Sequence, residues 1–277
     1  MNRSGLNTHH CLGNYLVSML VVVGRLCSAQ KVFEKLINPN ISSWNSIITG
    51  HVNCGMFQHA LVLYKKMQKC GSIDAYGQIF LALIEACSEL KDLQVGQEIH
   101  ELIASNGLLK GDLFLGSSLI TMYAECGCIS RGEEVFDSYS PVRDTVTWNA
   151  LITAYVNCGF DANALALLEK MQVEGISPNV VTYICSLRAC GNLGAIEKGR
   201  EIHGEVYRKK LHDDDVKLSN ALVDMYAKCG LFSKAHEVFE KLAFKNVIAW
   251  TSLIAGYVKH GQGAEALTCF KQMQLEG

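Results

Sequence analysis

The stretch from Thr145 to Asn179 reads TVTWNALITAYVNCGFDANALALLEKMQVEGISPN. Its spacing predicts two short amphipathic helices, one from about Trp148 to Asn157 and one from near Asp161 to just before Gly175. Gly159 stands where the chain has to reverse, a place that favours a residue free to take a positive φ. In the second helix Ala164, Leu165, Leu168 and Met171 recur at helical spacing and form one apolar stripe. Gly175 is placed to end that helix, and Pro178 lies where helix cannot continue.

The same pattern fills most of the chain. The end of the first helix recurs as GHVNCG (50–55), MYAECG (122–127), AYVNCG (154–159), MYAKCG (225–230) and GYVKHG (256–261). The second helix recurs as ALVLYKKMQKCG (60–71), ALALLEKMQVEG (164–175) and ALTCFKQMQLEG (266–277), or in another form as AQKVFEKL (29–36) and AHEVFEKL (235–242). A third pattern links IEACSELKDLQVGQEIH (84–100) with LRACGNLGAIEKGREIH (187–203). Aligned, they give a short unit at 10–40, a standard one at 41–76 and a long one at 77–112. The order repeats as short 113–144, standard 145–179 and long 180–215, then short 216–246 and an incomplete standard 247–277. Residues 1–9 read as the tail of a preceding unit. A lone two-helix unit cannot bury its apolar stripe, so an all-α solenoid of stacked hairpins is expected, and the chain reads as part of a longer protein.

Composition narrows the function classes. Of 277 residues, 49% are hydrophobic and 19% charged, with a formal charge of −2, which excludes a strongly basic, sequence-blind nucleic-acid binder. The longest apolar candidate, Leu16 to Val23, is too short for a bilayer span and carries Ser18, so no membrane partner is expected. No targeting peptide is visible at the N-terminus. Nor is there a nucleophile–base pair or a phosphate-binding glycine loop, so neither an enzyme, a cofactor nor a small-molecule substrate is expected.

VTWNALITAYVNCG (146–159), LSNALVDMYAKCG (218–230) and GREIHGEVYRKKL (199–211) resemble the P, S and L motifs of plant pentatricopeptide repeat proteins, over residues 10–277. The resemblance implies a right-handed superhelical α-solenoid of helix-turn-helix repeats that binds single-stranded RNA, one repeat per nucleotide. It implies a role in the mitochondrion or chloroplast, selecting a cytidine for C-to-U editing with a deaminase domain or editing cofactors as further partners. Transcript stabilisation or processing is the alternative within RNA binding. A tetratricopeptide scaffold for protein partners is the alternative outside it, although the W-x₂-L-G-x₂-Y pattern of that family is absent.

In this family the fifth residue of a motif and its last residue choose the base. Carried over, the resemblance pairs Asn14 with Asn40, Ser117 with Asp144, Asn149 with Asn179, and Asn220 with Asn246. Asn45 pairs with Asp74 or Tyr76, and Thr251 has its partner beyond residue 277. Asparagine pairs imply pyrimidines, and Ser or Thr with Asp implies guanine. Leu81 and Ile184 occupy the fifth position of the long units, where an aliphatic group cannot hydrogen-bond a base, so those units are expected to space. Val146 and Ile248, at position two, are expected to sandwich bases, whereas Ser42 and Lys217 depart from that pattern. A single polar residue at a helix start is ordinarily a cap; its recurrence at one motif position argues for a lined groove.

Trp44, Trp148 and Trp250, and Tyr123, Tyr155 and Tyr226, are expected in the core. Cys54, Cys126, Cys158 and Cys229 share position fourteen, and Cys87 and Cys190 share position eleven. Equivalent residues one stacking step apart, roughly 10 Å, cannot form disulfides. All six are therefore expected as small buried helix residues, with no metal site. His203–Gly204–Glu205 matches the H-x-E of zinc deaminases, but no C-x-x-C occurs, and His100 is its repeat equivalent, so His203 is read as a framework residue.

Overall fold

The computed structural model describes residues 3–70, 77–109, 112–138, 143–211, 215–242 and 244–276, with side chains from residue 12 onward except at 77 and 78. Sixteen α-helices and no strand are found among the described residues. Two compact units divide the chain, 1–141 and 142–277. The first holds α1 (Arg3–Val22), α2 (Leu26–Phe33), α3 (Ile41–Asn53), α4 (Phe57–Lys69), α5 (Gly77–Leu90), α6 (Leu93–Ser105), α7 (Leu113–Glu125) and α8 (Ile129–Ser138). The second holds α9 (Thr145–Asn157), α10 (Asp161–Val173), α11 (Val180–Leu193), α12 (Ile196–Arg208), α13 (Val216–Lys228), α14 (Phe232–Glu240), α15 (Val247–Lys259) and α16 (Gly263–Glu276). α1 already begins at Arg3, inside the segment read as a preceding tail.

Within each unit the helices pair as antiparallel hairpins. The first helices pack on one another in sequence, α1–α3–α5–α7 and α9–α11–α13–α15. Each second helix packs on its own first helix and, where its unit continues, on the next one; second helices meet through long side chains, as where Lys198 of α12 reaches Glu169 of α10 at 2.9 Å. This is the layered hairpin stack of an α-solenoid.

The reversal between α9 and α10 shows why these sequences turn where they do. Cys158 ends α9, Gly159 adopts φ +78°, its N–H bonds to Val156 O at 3.2 Å, and Phe160 N–H bonds to Tyr155 O at 2.8 Å. That pair of bonds is the Schellman motif, and its usual apolar contact is present as the edge-on Tyr155–Phe160 ring pair at 6.5 Å. The same two bonds recur at Gly55, Gly127, Gly230 and Gly261.

α9 starts three residues before the predicted Trp148, because Asp144 accepts the N–H of Thr147 at 2.9 Å and caps the helix there. The three tryptophans are buried as expected, and Trp44 and Trp250 meet Phe33 and Phe239 edge-on at 4.6 Å each. Tyr123, Tyr155 and Tyr226 are buried too. Position fourteen is a correction. Its cysteines are the C-caps of the first helices, so Cys54 is exposed and Cys126, Cys158 and Cys229 are half-buried; of the six, Cys87 and Cys190 alone are buried. A C-cap lies at the hairpin tip, where neighbouring hairpins cover less of it. All described cysteines are free thiols.

The long segments pack through a recurring couple. A Cβ on Gly96 would stand 2.6 Å from Met122 Sδ, and one on Gly199 would stand 2.6 Å from Met225 Sδ. Both methionines are fully buried.

Candidate nucleic-acid interface

The residues expected to act in pairs are drawn together at the N-termini of the first helices. The last residue of one motif immediately precedes the next first helix, so it is in position to cap it. Asn40, Asp144, Asn179 and Asn246 all do so, their side-chain oxygens accepting the N–H groups of Ser43, Thr147, Thr182 and Ala249 at 2.9–3.1 Å. At α11 the cap is a full box: Thr182 Oγ1 also accepts the Asn179 N–H at 3.1 Å.

The fifth residue lies one turn into the preceding first helix, which brings its amide against that cap. Asn149 Nδ2 donates to Asn179 Oδ1 at 3.0 Å, and Asn149 Oδ1 accepts Thr182 Oγ1–H at 2.6 Å. Asn220 Nδ2 donates to Asn246 Oδ1 at 3.3 Å. Asn14 Oδ1 accepts the Asn40 N–H at 3.1 Å and the Ser43 hydroxyl. These asparagines are more enclosed than a lined groove implies, with Asn14 and Asn149 8% exposed and Asn220 6%. Their cap partners are more open: Asn40 and Asn179 are exposed and Asn246 half-buried.

Helix capping and the pairing expected for base reading therefore fall on the same side chains. Asn179 Oδ1 receives two N–H donors, and no acceptor among the described residues takes the Asn179 Nδ2 hydrogens. Asn149 likewise has a second Nδ2 hydrogen that no acceptor among the described residues takes. After the fold has been held, the pair presents N–H donors.

Other positions differ. Asn45 is half-buried, and its Oδ1 finds no partner among the described residues. Asp74 and Tyr76 lie outside the described residues. Ser117 donates back to Phe114 O at 3.0 Å in its own helix, and Thr251 does the same to Val247 O at 2.8 Å. Ser117 and Asp144 belong to different compact units. Val146 and Ile248 are 44% and 62% exposed beside the caps, while Ser42 and Lys217 are exposed polar groups there. Leu81 and Ile184 are half-buried. In the first unit, Asn40, Ser42, Asn45, Ser46, Thr49 and Asn53 line one open groove of about 1110 Å³.

Behind the first helices the histidines are framework groups. His100 bonds the Tyr123 hydroxyl at 2.8 Å, and His203 and His236 repeat the contact with Tyr226 and Tyr257, each at 2.8 Å. Glu205 accepts the Tyr183 hydroxyl at 2.8 Å. Burial and the nearby Arg131 hold the His100 pKa below its ordinary value, and burial pushes the Tyr123 hydroxyl up to about 12. Among the described residues no group of three His, Cys, Asp or Glu could hold a metal, and no helix is long and apolar enough to cross a membrane. Reading the pairs alone missed the hydroxyls of Ser43 and Thr182, although their place three residues after a cap is a visible signal.

The sequence model of the PPR repeat family matches residues 143–192, and that of the PPR repeat matches 42–72, 219–247 and 248–277. A pentatricopeptide repeat-containing protein of Arabidopsis thaliana is 34% identical over 95% of this chain and 44% of its own length. A putative mitochondrial one from the same plant is 33% identical over 98% and 43%, and a chloroplastic one 32% identical over 96% and 28%. The chain thus spans less than half of these relatives. Among solved structures, the pentatricopeptide repeat protein PPR10 in complex with an 18-nt psaJ RNA element superimposes with a TM-score of 0.80 at 16% identity, covering 99% of this chain and 42% of that one. With its repeated hairpins, its matched motifs and these relatives, the chain belongs to the pentatricopeptide repeat family.

Proposed function

We propose that the chain binds single-stranded RNA, each hairpin with a polar fifth residue facing one nucleotide. The observation that carries this is the meeting of fifth and last residues, Asn149 with Asn179 and Asn220 with Asn246, in couples that retain N–H donors beside exposed apolar side chains. Donors of this kind suit the carbonyl oxygens on a pyrimidine edge, and Val146 and Ile248 offer apolar faces to its ring. The RNA complex of PPR10, which shares the fold, supports the same reading. Leu81 and Ile184 have no donor to offer, so their hairpins space. The alternation of short, standard and long motifs and the organellar names of relatives favour a guide for RNA modification in a plant organelle, selecting a cytidine for editing. The segment itself binds and positions; it performs no chemistry.

The expected target, read parallel to the chain, is pyrimidine, pyrimidine, any, purine, pyrimidine, any, pyrimidine, purine. A gel-shift series with single-base swaps tests it. A purine opposite Asn149 should weaken binding about fivefold to tenfold, the worth of one or two misplaced hydrogen bonds. Undiminished binding after that swap would show the register to be wrong. Displacement of bound RNA by a peptide but not by a second RNA would favour a protein-binding scaffold.

A further inference from the structure

The third residue of a motif varies in a way that follows the motif before it. After Asn14 comes Ser43, and after Asn149 comes Thr182. After Asn45 comes Ile79, and after Asn220 comes Ala249. In the first two cases the asparagine Oδ1 receives the hydroxyl of that third residue. In the other two the Oδ1 is buried with no partner among the described residues. The aliphatic fifth residues Leu81 and Ile184 are followed by the aliphatic Leu115 and Leu218. The match runs across the seam between hairpins, between side chains some 30 positions apart, and only packing brings them together.

We infer that this third residue sets the sense of the amide in the preceding motif, and so decides how strictly that motif selects its nucleotide. An amide presents similar shapes with its oxygen and nitrogen exchanged, so only its neighbours fix which end points where. Thr182 fixes it firmly. Its Oγ1 accepts the Asn179 N–H at 3.1 Å, and its one proton goes to Asn149 Oδ1 at 2.6 Å. Asn179 Oδ1, the other oxygen in reach, already has the N–H groups of Thr182 and Asn149. The Asn149 oxygen is thereby committed to the protein, and only N–H remains for a base. Ser43 is surrounded by acceptors alone, Asn14 Oδ1, Asn40 Oδ1 and Asn40 O, so it too must donate.

Ala249 has no hydroxyl. Asn220, 6% exposed, keeps an unsatisfied oxygen and holds Asn246 by a longer 3.3 Å bond. One long bond to Asn246, against two shorter ones at Asn149, keeps the sense of its amide, so turning it over to meet a donor on the base in place of an acceptor costs less there. Asn149 is therefore a strict position for base edges that present an acceptor, and Asn220, like Asn45, a permissive one. The inference rests on the base-reading proposed above and adds a third, positioning residue to each couple.

The test measures binding of this chain to short single-stranded RNAs that differ only at the nucleotide opposite Asn149 or opposite Asn220. The unaltered chain should discriminate more at the first than at the second. Thr182→Val should lower discrimination opposite Asn149 about fivefold, the worth of one correctly set hydrogen bond, leave the nucleotide opposite Asn220 unaffected, and be rescued by Thr182→Ser. Ala249→Ser should raise discrimination opposite Asn220 by a similar factor and raise the melting temperature, because it supplies the missing donor. If the unaltered chain prefers a base opposite Asn149 and Thr182→Val keeps that preference intact, the inference is overturned while the base-reading stands. If Ala249→Ser stabilises the fold without sharpening selection opposite Asn220, the inference also fails, since the hydroxyl is then structural only. A chain that shows no preference at either nucleotide defeats the base-reading itself and this inference with it.

Discussion

The seam between α9 and α11 and the seam between α11 and α13 share a backbone plan and differ in chemistry. Each is closed by a cap one residue before the following helix: Asn179 for α11, and Asp215 for α13, which accepts Leu218 N–H at 3.0 Å. At the first seam an asparagine and a threonine meet the cap. At the second, the equivalent positions hold Leu218, inside the apolar core of the second unit, and Ile184, half-buried against it. The first unit repeats the contrast, with Asn14, Asn40 and Ser43 at the α1–α3 seam and Leu81, Asp112 and Leu115 at the α5–α7 seam. A solenoid needs only that each seam be satisfied, polar by hydrogen bonds or apolar by burial. Which kind it is decides whether donors are left over for a ligand.

That contrast can be broken by exchanging the chemistry. Ile184→Asn places an amide at the apolar seam where Leu218 offers no donor, and should cost about 1–3 kcal/mol in urea unfolding, the penalty of an unsatisfied buried polar group. Adding Leu218→Thr should return part of that loss. If the double variant is no more stable than the single one, the seams are not interchangeable and the contrast is more than side-chain deep.

A smaller effect separates the caps. Asp215→Ala removes a cap alone and should cost about 1 kcal/mol. Asn179→Ala removes a cap together with the acceptor of Asn149 Nδ2, and should cost more, about 2 kcal/mol. Equal losses in thermal melts would mean that the Asn149 bond contributes nothing to the seam.

The smallest effect reaches the apolar α5–α7 seam from behind, through His100. Burial, aided by Arg131, disfavours its imidazolium in the fold, so its folded pKa lies below 6.5. The unfolded chain takes up that proton first as pH falls. The stabilisation is therefore complete above about pH 6.5 and is lost as pH drops through that value toward the folded pKa. Urea midpoints at about pH 7.5 and about pH 5 should differ less for His100→Gln than for the unaltered chain.

Much of this architecture was legible in particular residues. Gly159 and Gly175 marked the ends of two helices because their positive φ excludes most other residues, and the apolar stripe marked the buried faces. The start of α9 was read three residues late because Thr145 and Thr147 look like loop; Asp144 extends the helix over them. Position fourteen was read as buried because cysteine usually is, yet a helix C-cap sits at the hairpin tip whatever its residue. Asn149 and Asn179 were matched through the family resemblance, but their contact, and that of Thr182, runs between residues 30 and 33 positions apart. No local pattern shows which of several nearby oxygens a single hydroxyl proton will choose.

The glycine–methionine couples of the long segments have a mechanical consequence. Where Met122 and Met225 lie over Gly96 and Gly199, the contact is made by an unbranched thioether with three rotatable bonds. Such a joint gives under load by changing rotamer rather than by opening a void. Compliance is thus built into the joints that follow the hairpins of Leu81 and Ile184, so strain reaching those seams is taken up by a side-chain torsion before it disturbs a hydrogen-bonded couple such as Asn149–Asn179.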